Sequence, residues 1–309
     1  MILKDILRPI YRYMIYLKSI YKFYRIKNKR CSRNVLNSIE TVRYIKNNRC
    51  SVSRFGDGEL SLVLKGEFGD KFHSNFQSFN PELSKRLSYI LSYKEPAPNH
   101  IVGLPACGFS FGTSKFKWNI AEYWNRYMFS YIDKILKISK SEYTYCDANF
   151  TRFYMDYSDS SWCNDYVEQL KEIWKGRNII FIEGATTRLG AGNDLFMTAK
   201  SIRRILCPPK NAIERYDAIM TAIRQNAKKD DLLIIALGMT ATIMAYDLAN
   251  EGFQALDLGH IDIEYEWYRM GAKDKVAIKG KYTNESANGR IAIADGSDEY
   301  KLQVVATVF

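Results

Sequence analysis

The sequence predicts an α/β fold: a Rossmann-like, mostly parallel sheet with helices on both faces. Three observations carry this. Strand-length runs such as NIIFIEG (178–184) and DLLIIALG (231–238) have no polar face, as strands covered on both sides require. Amphipathic, helix-length segments alternate with such runs from residue 162 onward, which suits the crossover connections of a parallel sheet. The 309 residues are 47% apolar and 26% charged, a balance that builds a sizeable core rather than a disordered chain.

The elements follow in chain order. Residues 1–33 hold ten Lys or Arg against one acid, Asp5, so this head carries +9 of the chain's net +11. Leu3, Leu7, Ile10, Met14, Leu17, Tyr21 and Tyr24 recur at helical spacing. Lys4, Arg8, Arg12, Lys18, Lys22, Arg25 and Lys29 mark a different, basic face, and Pro9 would kink the helix. A basic amphipathic N-terminal helix suits a membrane surface bearing anionic lipid. A helix docked on the domain with its charges in solvent is the plainer alternative. The other 276 residues carry only +2, so no broad nucleic-acid surface is expected on the body and no nucleic-acid partner is predicted.

A helix is predicted over 36–48 and a strand over 50–54. Asn80-Pro81 starts a helix over 81–93. HIVGLP (100–105) reads as a strand, 116–138 as a long aromatic helix, and 143–154 as a region whose strand ends near Arg152. Next come a helix (162–174), the strand 178–184, a loop and a helix through 201, and the strand RRILCP (203–208). A helix over 212–227, the strand 231–238, a helix from 240 and the strand FQALDLG (253–259) close the series. No linker interrupts 36–285, which predicts one domain there, preceded by a basic segment (1–35) and followed by an extension (286–309).

Six cysteines, at 31, 50, 107, 146, 163 and 207, form no CxxC pair, so neither a zinc site nor a disulfide framework is expected. Reduced thiols suit a cytoplasmic protein. The longest apolar run of the head, Tyr13–Leu17, is too short for a signal-peptide core, and no run is long enough to cross a bilayer. The expected place is therefore the cytoplasm, on the inner face of the plasma membrane if the basic helix engages lipid.

In parallel sheets ligands bind beyond the carboxyl ends of the strands. Three segments fall there: EGATTRLGAGND (183–194), LGMTAT (237–242) and LGHIDIEYEW (258–267). Gly190-Ala191-Gly192 is a GxG, but Leu195 stands where a dinucleotide fingerprint needs its third glycine, so no nicotinamide or flavin site is predicted. Gly238 ends a strand, and Thr240 and Thr242 lie where the next helix begins. That arrangement is either a phosphate seat or a plain turn capped by Thr240. Arg188 could fork to a diphosphate, or pair with Glu183 or Asp194. His260 sits at a strand end, either functional or packed. Asp262, Glu264 and Glu266 alternate along the run that follows, and a general base could be among them.

The stretch SVSRFGDGEL (51–60) places Asp57 and Glu59 about one glycine. In extended backbone two such residues point to one face, and a turn at Gly58 with positive φ would bring the carboxylates closer. Such a pair can hold Mg²⁺ or Mn²⁺, whose remaining positions go to water and substrate phosphates. A surface turn is the alternative.

Taken together, SRFGDGEL, EGATTRLGAGNDLF, RRILCPPKNA, ALGMTATIMAYDLANEGFQALDLGHIDIEYEWY and GKYTNE resemble the GT-D glycosyltransferase family, in order, over residues 36–285. The resemblance implies a Rossmann-like fold of GT-D type and a nucleotide-sugar donor, a UDP-sugar such as UDP-glucose. It also implies a divalent metal, Mn²⁺ or Mg²⁺, held at a DxE motif, here Asp57-Gly58-Glu59. Arg54, Gly56, Arg152, Arg188, Gly190, Asn193, Asp194, Gly238 and Thr240 fall on the family pattern as donor-binding positions. His260 and Asp262, with Asp57, fall on it as catalytic ones. Met239 departs from the pattern, standing where proline is expected in the strand-end loop.

The expected activity is transfer of a hexose to a glycan, glycoprotein or lipid-linked acceptor. Asp57 and Glu59 would hold the metal, Arg188 or Arg152 would add positive charge, and an acidic residue or His260 would take the acceptor's proton. Two rival readings remain at this level. One is a non-catalytic nucleotide-sugar-binding module; the other is a membrane-surface adaptor whose Rossmann-like domain only scaffolds.

Overall fold

A computed structural model of the chain describes residues 2–64, 76–109, 111–286, 288–289 and 298–309, with side chains from residue 10 onward. Its strands are β1 (Asn34–Val35), β2 (Ser51–Arg54), β3 (His100–Leu104), β4 (Thr144–Asp147), β5 (Asn178–Gly184), β6 (Ser201–Cys207), β7 (Leu232–Ala236), β8 (Gln254–Asp257) and β9 (Val304–Thr307). Among the described residues they form one nine-stranded sheet in the order β1-β4-β3-β2-β8-β7-β5-β6-β9. Every pairing in it is parallel.

The helices are α1 (Ile2–Arg25), α2 (Lys27–Arg30), α3 (Ser38–Asn48), α4 (Asp57–Leu64), α5 (Pro81–Leu91), α6 (Trp118–Ile138), α7 (Cys163–Trp174), α8 (Tyr216–Asn226), α9 (Met239–Asn250), α10 (Ile261–Arg269) and α11 (Asp298–Leu302). Successive strand residues point to opposite faces. Ile179, Phe181, Leu232 and Ile234 therefore pack with α3, α7 and α10, while Ile180, Ile182, Leu233 and Ile235 pack with α8 and α9. That is why these strands lack a polar face. The β2–β3–β4 half is covered by α4, α5 and α6, with Leu60, Leu87, Met128 and Ile132 against Val102 and Leu104. Local signals set the helix starts. Asn37 and Glu40 form a reciprocal capping box on α3, and Asn80 caps α5 with Pro81 in its first turn.

Several expectations change. No helix lies between β5 and β6; residues 185–200 form successive turns. Arg188, Gly190 and Gly192 all have positive φ there, and the Asn193 carboxamide accepts the Leu195 N–H, so local hydrogen bonding displaces the helix. The strand predicted within 143–154 ends at Asp147, and the chain then turns, so Arg152 lies five residues beyond it. Asp57 and Glu59 sit in the first turn of α4 rather than on an extended turn, and Gly58 needs no positive φ. The acidic run 262–266 is helical, within α10. Helix α1 runs on through Pro9. Two short edge strands, β1 and β9, had no signal in the sequence. The second comes from the segment 286–309 and pairs with β6.

Candidate active site

The sheet changes winding direction beside β2 and β8. From β2 the chain steps outward through β3 and β4 on one side of this pair; on the other it steps out from β5 to β6 and returns through β7 to β8. Ligand crevices in open α/β sheets form at such a switch point. Here a cavity of about 1290 Å³ opens beyond the carboxyl ends of the strands. Its wall is built from loops after β2, β4, β5, β6, β7 and β8, from the start of α6, and from the segment 275–285. Helices α4, α6, α9 and α10 all begin at this wall, so their positive N-terminal ends favour an anion.

Arg54 holds the switch point together. Its Nε and Nη2 donate to the Asp257 carbonyl (2.7 Å) and Oδ1 (2.9 Å), and its Nη1 donates to Thr151 Oγ1 (2.9 Å). The Thr242 hydroxyl reaches Asp257 Oδ2 from the other side, at 3.2 Å. Gly259, at φ +47°, is required here: a Cβ would stand 2.1 Å from Arg54 Nη2.

Asp57 is exposed and Glu59 half-buried, and among the described residues no lysine or arginine forms an ion pair with either. The Tyr123 hydroxyl donates to Asp57 Oδ2 (2.5 Å), and the Gly56 N–H donates to Glu59 Oε2 (3.0 Å). Burial first, then the Asp257 and Asp57 carboxylates, push the Glu59 carboxyl up to about 7 against the pull of Arg54. Gly58 lies under the Met239 side chain, where a Cβ would come within 2.9 Å of the methionine methyl. Asp57 and Glu59 thus bring to the cavity two carboxylates that have no ion-paired cation among the described residues. No group of three or more His, Cys, Asp or Glu is gathered tightly enough for a protein-only metal cage among the described residues. The pair fits a hard divalent ion that keeps water and substrate oxygens.

The facing wall carries a second network. Arg152 Nη1 meets Glu285 Oε1 at 2.7 Å, Lys275 pairs with Glu285 and, at 3.5 Å, with Asp156, and His260 Nε2 lies 3.8 Å from Glu285. Burial alone would raise Glu285, but Arg152, with His260 and Lys275, holds it down to about 2. Burial, then Arg152, depress His260 to about 3, so its ring is neutral at physiological pH.

Of the expected donor-binding residues, Arg54, Gly56, Arg152 and Gly238 line the cavity, as do Asp57, Glu59, His260 and Asp262. Arg188, Gly190, Asn193, Asp194 and Thr240 do not; they stand behind its wall. Arg188 donates to the Gly280 carbonyl (3.0 Å) and lies over the Tyr300 ring, and among the described residues it makes neither expected ion pair. Glu183 instead pairs with Arg204, and Asp194 with Lys171 and Arg269. The Gly190 N–H and Asn193 Nδ2 both donate to Asp262 Oδ1, at 2.9 and 2.7 Å. Lys281 meets Asp262 Oδ2 at 2.6 Å, with both side chains almost fully buried. Asp262 thus ties α10, the 185–194 loop and the 275–285 segment together, with both oxygens committed. Thr240 is buried at the start of α9 with its hydroxyl unpartnered among the described residues.

Sequence reasoning missed Tyr123, Trp124, Lys210, Lys275 and Glu285, all of which line the cavity. The aromatic density of 116–138 and the run GKYTNE were the available signals, though neither points to a particular residue.

The family model described as glycosyltransferase GT-D fold matches residues 52–286 of this chain. A probable glycosyl transferase of Streptococcus gordonii is 32% identical over 275 residues, which cover 89% of this chain and 39% of that protein. The glycosyltransferase GlyD of Streptococcus pneumoniae serotype 4 is 36% identical over 273 residues, 87% of this chain and 32% of that protein. The chain therefore spans between about a third and two-fifths of these curated relatives. A solved structure described as domain of unknown function 1792, with a distinct glycosyltransferase fold, matches at TM-score 0.82 and 38% identity over 94% of this chain and 99% of that one. A new glycosyltransferase from Streptococcus sanguinis matches at TM-score 0.81 and 35% identity, over 90% of this chain and 100% of that one.

Proposed function

We infer function from one premise, that this chain belongs to the GT-D-fold glycosyltransferase family, and propose that it moves a hexose from a nucleotide-diphosphate sugar, a UDP-sugar in our reading, to a glycan, glycoprotein or lipid-linked acceptor. The observation that carries the finer reading is the pair Asp57 and Glu59, carboxylates without an ion-paired cation among the described residues, at a cavity rimmed by helix N-termini. These two would hold Mn²⁺ or Mg²⁺. Such an ion, when bound, offsets negative charge developing on the leaving diphosphate.

The chain's own groups supply the rest. Tyr123 fixes the Asp57 carboxylate through its hydroxyl, and Glu59 is oriented by the Gly56 N–H. Arg152, Lys210 and Lys275 bring positive charge to the wall around the diphosphate. The exposed ring of Tyr123 offers a face for the donor's base. Asp262 is committed to Lys281, Gly190 and Asn193, Glu264 to the Tyr154 and Met155 N–H groups, and Glu266 to Asn193 and Lys281, so of the expected proton acceptors His260 is the best disposed. A bound diphosphate would counter the field of Arg152 and Lys275 that depresses it.

Two measurements bear on this. Incubation with a panel of nucleotide sugars, with water as acceptor, is expected to consume at least one donor with Mn²⁺ and none with excess chelator. If no donor is bound or consumed under either condition, the transferase reading fails. Arg152→Ala is expected to weaken nucleotide-diphosphate affinity about tenfold or more, the scale of a charged hydrogen bond. Arg152→Lys should restore only part, because an ammonium lacks the guanidinium fork. Parental affinity in the alanine variant, with unchanged circular dichroism, would confine Arg152 to holding Glu285.

A further inference from the structure

From residue 10 onward the stripe of apolar residues in α1 does not face the domain. The helix docks on α6 through another side. Tyr16 packs edge-on against Trp118, Ser19 accepts a hydrogen bond from Asn125, Lys22 lies over the Phe129 ring, and Phe23 and Ile26 are buried. Turned outward are Ile10, Met14, Leu17, Tyr21 and Tyr24, spaced four, three, four and three residues apart, with Tyr13 beside them. Each is between 49% and 69% exposed. A ladder of large apolar side chains along one helix face is not the scatter of single hydrophobics that an ordinary surface carries.

Charge says what covers it. Lys18 and Arg25 flank the ladder, both exposed and without an ion-pair partner among the described residues. The whole head carries +9, while the remaining residues carry +2. A second copy of this chain laid against the ladder would bring two such heads together, and like charges oppose that. An anionic lipid surface complements both features, taking the apolar ladder into its acyl boundary and the cations at its headgroups. Among the described residues no helix is long and apolar enough to cross a membrane, so the helix would lie in the interface.

We propose that α1 is an in-plane anchor that docks this protein on anionic bilayers through the ladder Ile10, Met14, Leu17, Tyr21 and Tyr24. Trp118, which Tyr16 touches, opens α6, and Ile120, Tyr123 and Trp124 in the next turns line the cavity. The anchor therefore adjoins the cavity wall. Given the transferase reading, this favours an acceptor carried at the lipid surface; the docking itself does not depend on that reading.

Flotation of the full chain with vesicles tests it, using phosphatidylglycerol–phosphatidylcholine mixtures and phosphatidylcholine alone. Binding is expected on the anionic vesicles and is expected to fall as salt rises. The pairs Met14→Glu with Leu17→Glu, and Lys18→Glu with Arg25→Glu, should each weaken it about tenfold or more. All four positions are exposed, so the fold should survive, as circular dichroism would report. Absence of binding to anionic vesicles at low salt overturns the proposal, as does parental binding by either double variant. Sedimentation showing a dimer that Met14→Glu with Leu17→Glu disrupts would assign the ladder to a second copy and overturn it too.

Discussion

Asp57→Asn and Glu59→Gln are each expected to cut donor turnover at least about tenfold, or about 1.4 kcal/mol of transition-state stabilisation. Both keep shape and remove one charge from a pair with which no lysine or arginine forms an ion pair among the described residues. The two should differ in stability. Glu59 is the more buried, and burial and its acidic neighbours push its carboxyl up to about 7, so its ionised form costs folding energy. Glu59→Gln removes that cost and should leave the thermal midpoint of the metal-free protein unchanged or higher, while activity falls. Asp57 is exposed, with its Oδ2 held by Tyr123, so Asp57→Asn should barely move the midpoint. Excess chelator should silence the parent, and Mn²⁺ or Mg²⁺ should restore it. Full turnover in chelator, or parental rates in both variants, would return the pair to a surface role.

Arg204→Ala is expected to cost about 3–5 kcal/mol of stability, because it strands a buried carboxylate. Glu183 and Arg204 are 0% and 3% exposed and pair with each other across β5 and β6. The Leu189 N–H donates to Glu183 Oε2 (2.6 Å), Arg204 Nη2 donates to the Leu189 carbonyl (2.8 Å), and Arg204 Nε donates to Gln303 Oε1 (2.7 Å). Tyr300 donates to Glu183 and stacks under the guanidinium. This network therefore joins the turn behind the cavity wall to the C-terminal segment. Replacing both partners, Glu183→Met with Arg204→Met, should cost much less than either single change, since no charge is left behind. Urea midpoints of the three variants decide it. A loss below about 1 kcal/mol for Arg204→Ala would mean that water reaches Glu183.

The strands that sequence identified most directly are those buried on both faces. Ile179–Ile182 and Leu232–Ile235 have no solvent side, so composition alone identifies them. The edge strands β1 and β9 are too short to show a period, and each pairs with a strand distant in the chain. The helix expected in the later part of 185–200 is absent although apolar residues there sit at plausible helical spacing. Three positive-φ residues, invisible to periodicity, decide the segment's shape. The site divides in the same way. Asp57 and Glu59 are legible only through the family resemblance, since a DxE alone is a weak signal that many proteins carry by chance. Tyr123, Lys275 and Glu285 are ordinary residues made relevant by folding, which brings 66 residues of separation down to one hydrogen bond between Tyr123 and Asp57. The ladder of α1 was legible as a pattern, but its outward direction was not. The sequence could not show that Tyr16, Ser19 and Phe23 would supply the docking side.

The β2–β8 pairing also has a consequence in time. The two halves of the sheet meet only there, and the Arg54–Asp257 contact at its end joins residues 203 positions apart in the chain. Contacts at such separation carry a large loop-closure entropy and form slowly. A ribosome-bound chain can complete β2, β3 and β4 early, yet β2 keeps one open edge until β8 has been synthesised. An open edge is a hazard, since it can pair with the edge of another chain. The crevice exists only once that edge has closed. In refolding, helical signal is therefore expected to return first, with the capacity to bind a nucleotide appearing in the slowest phase.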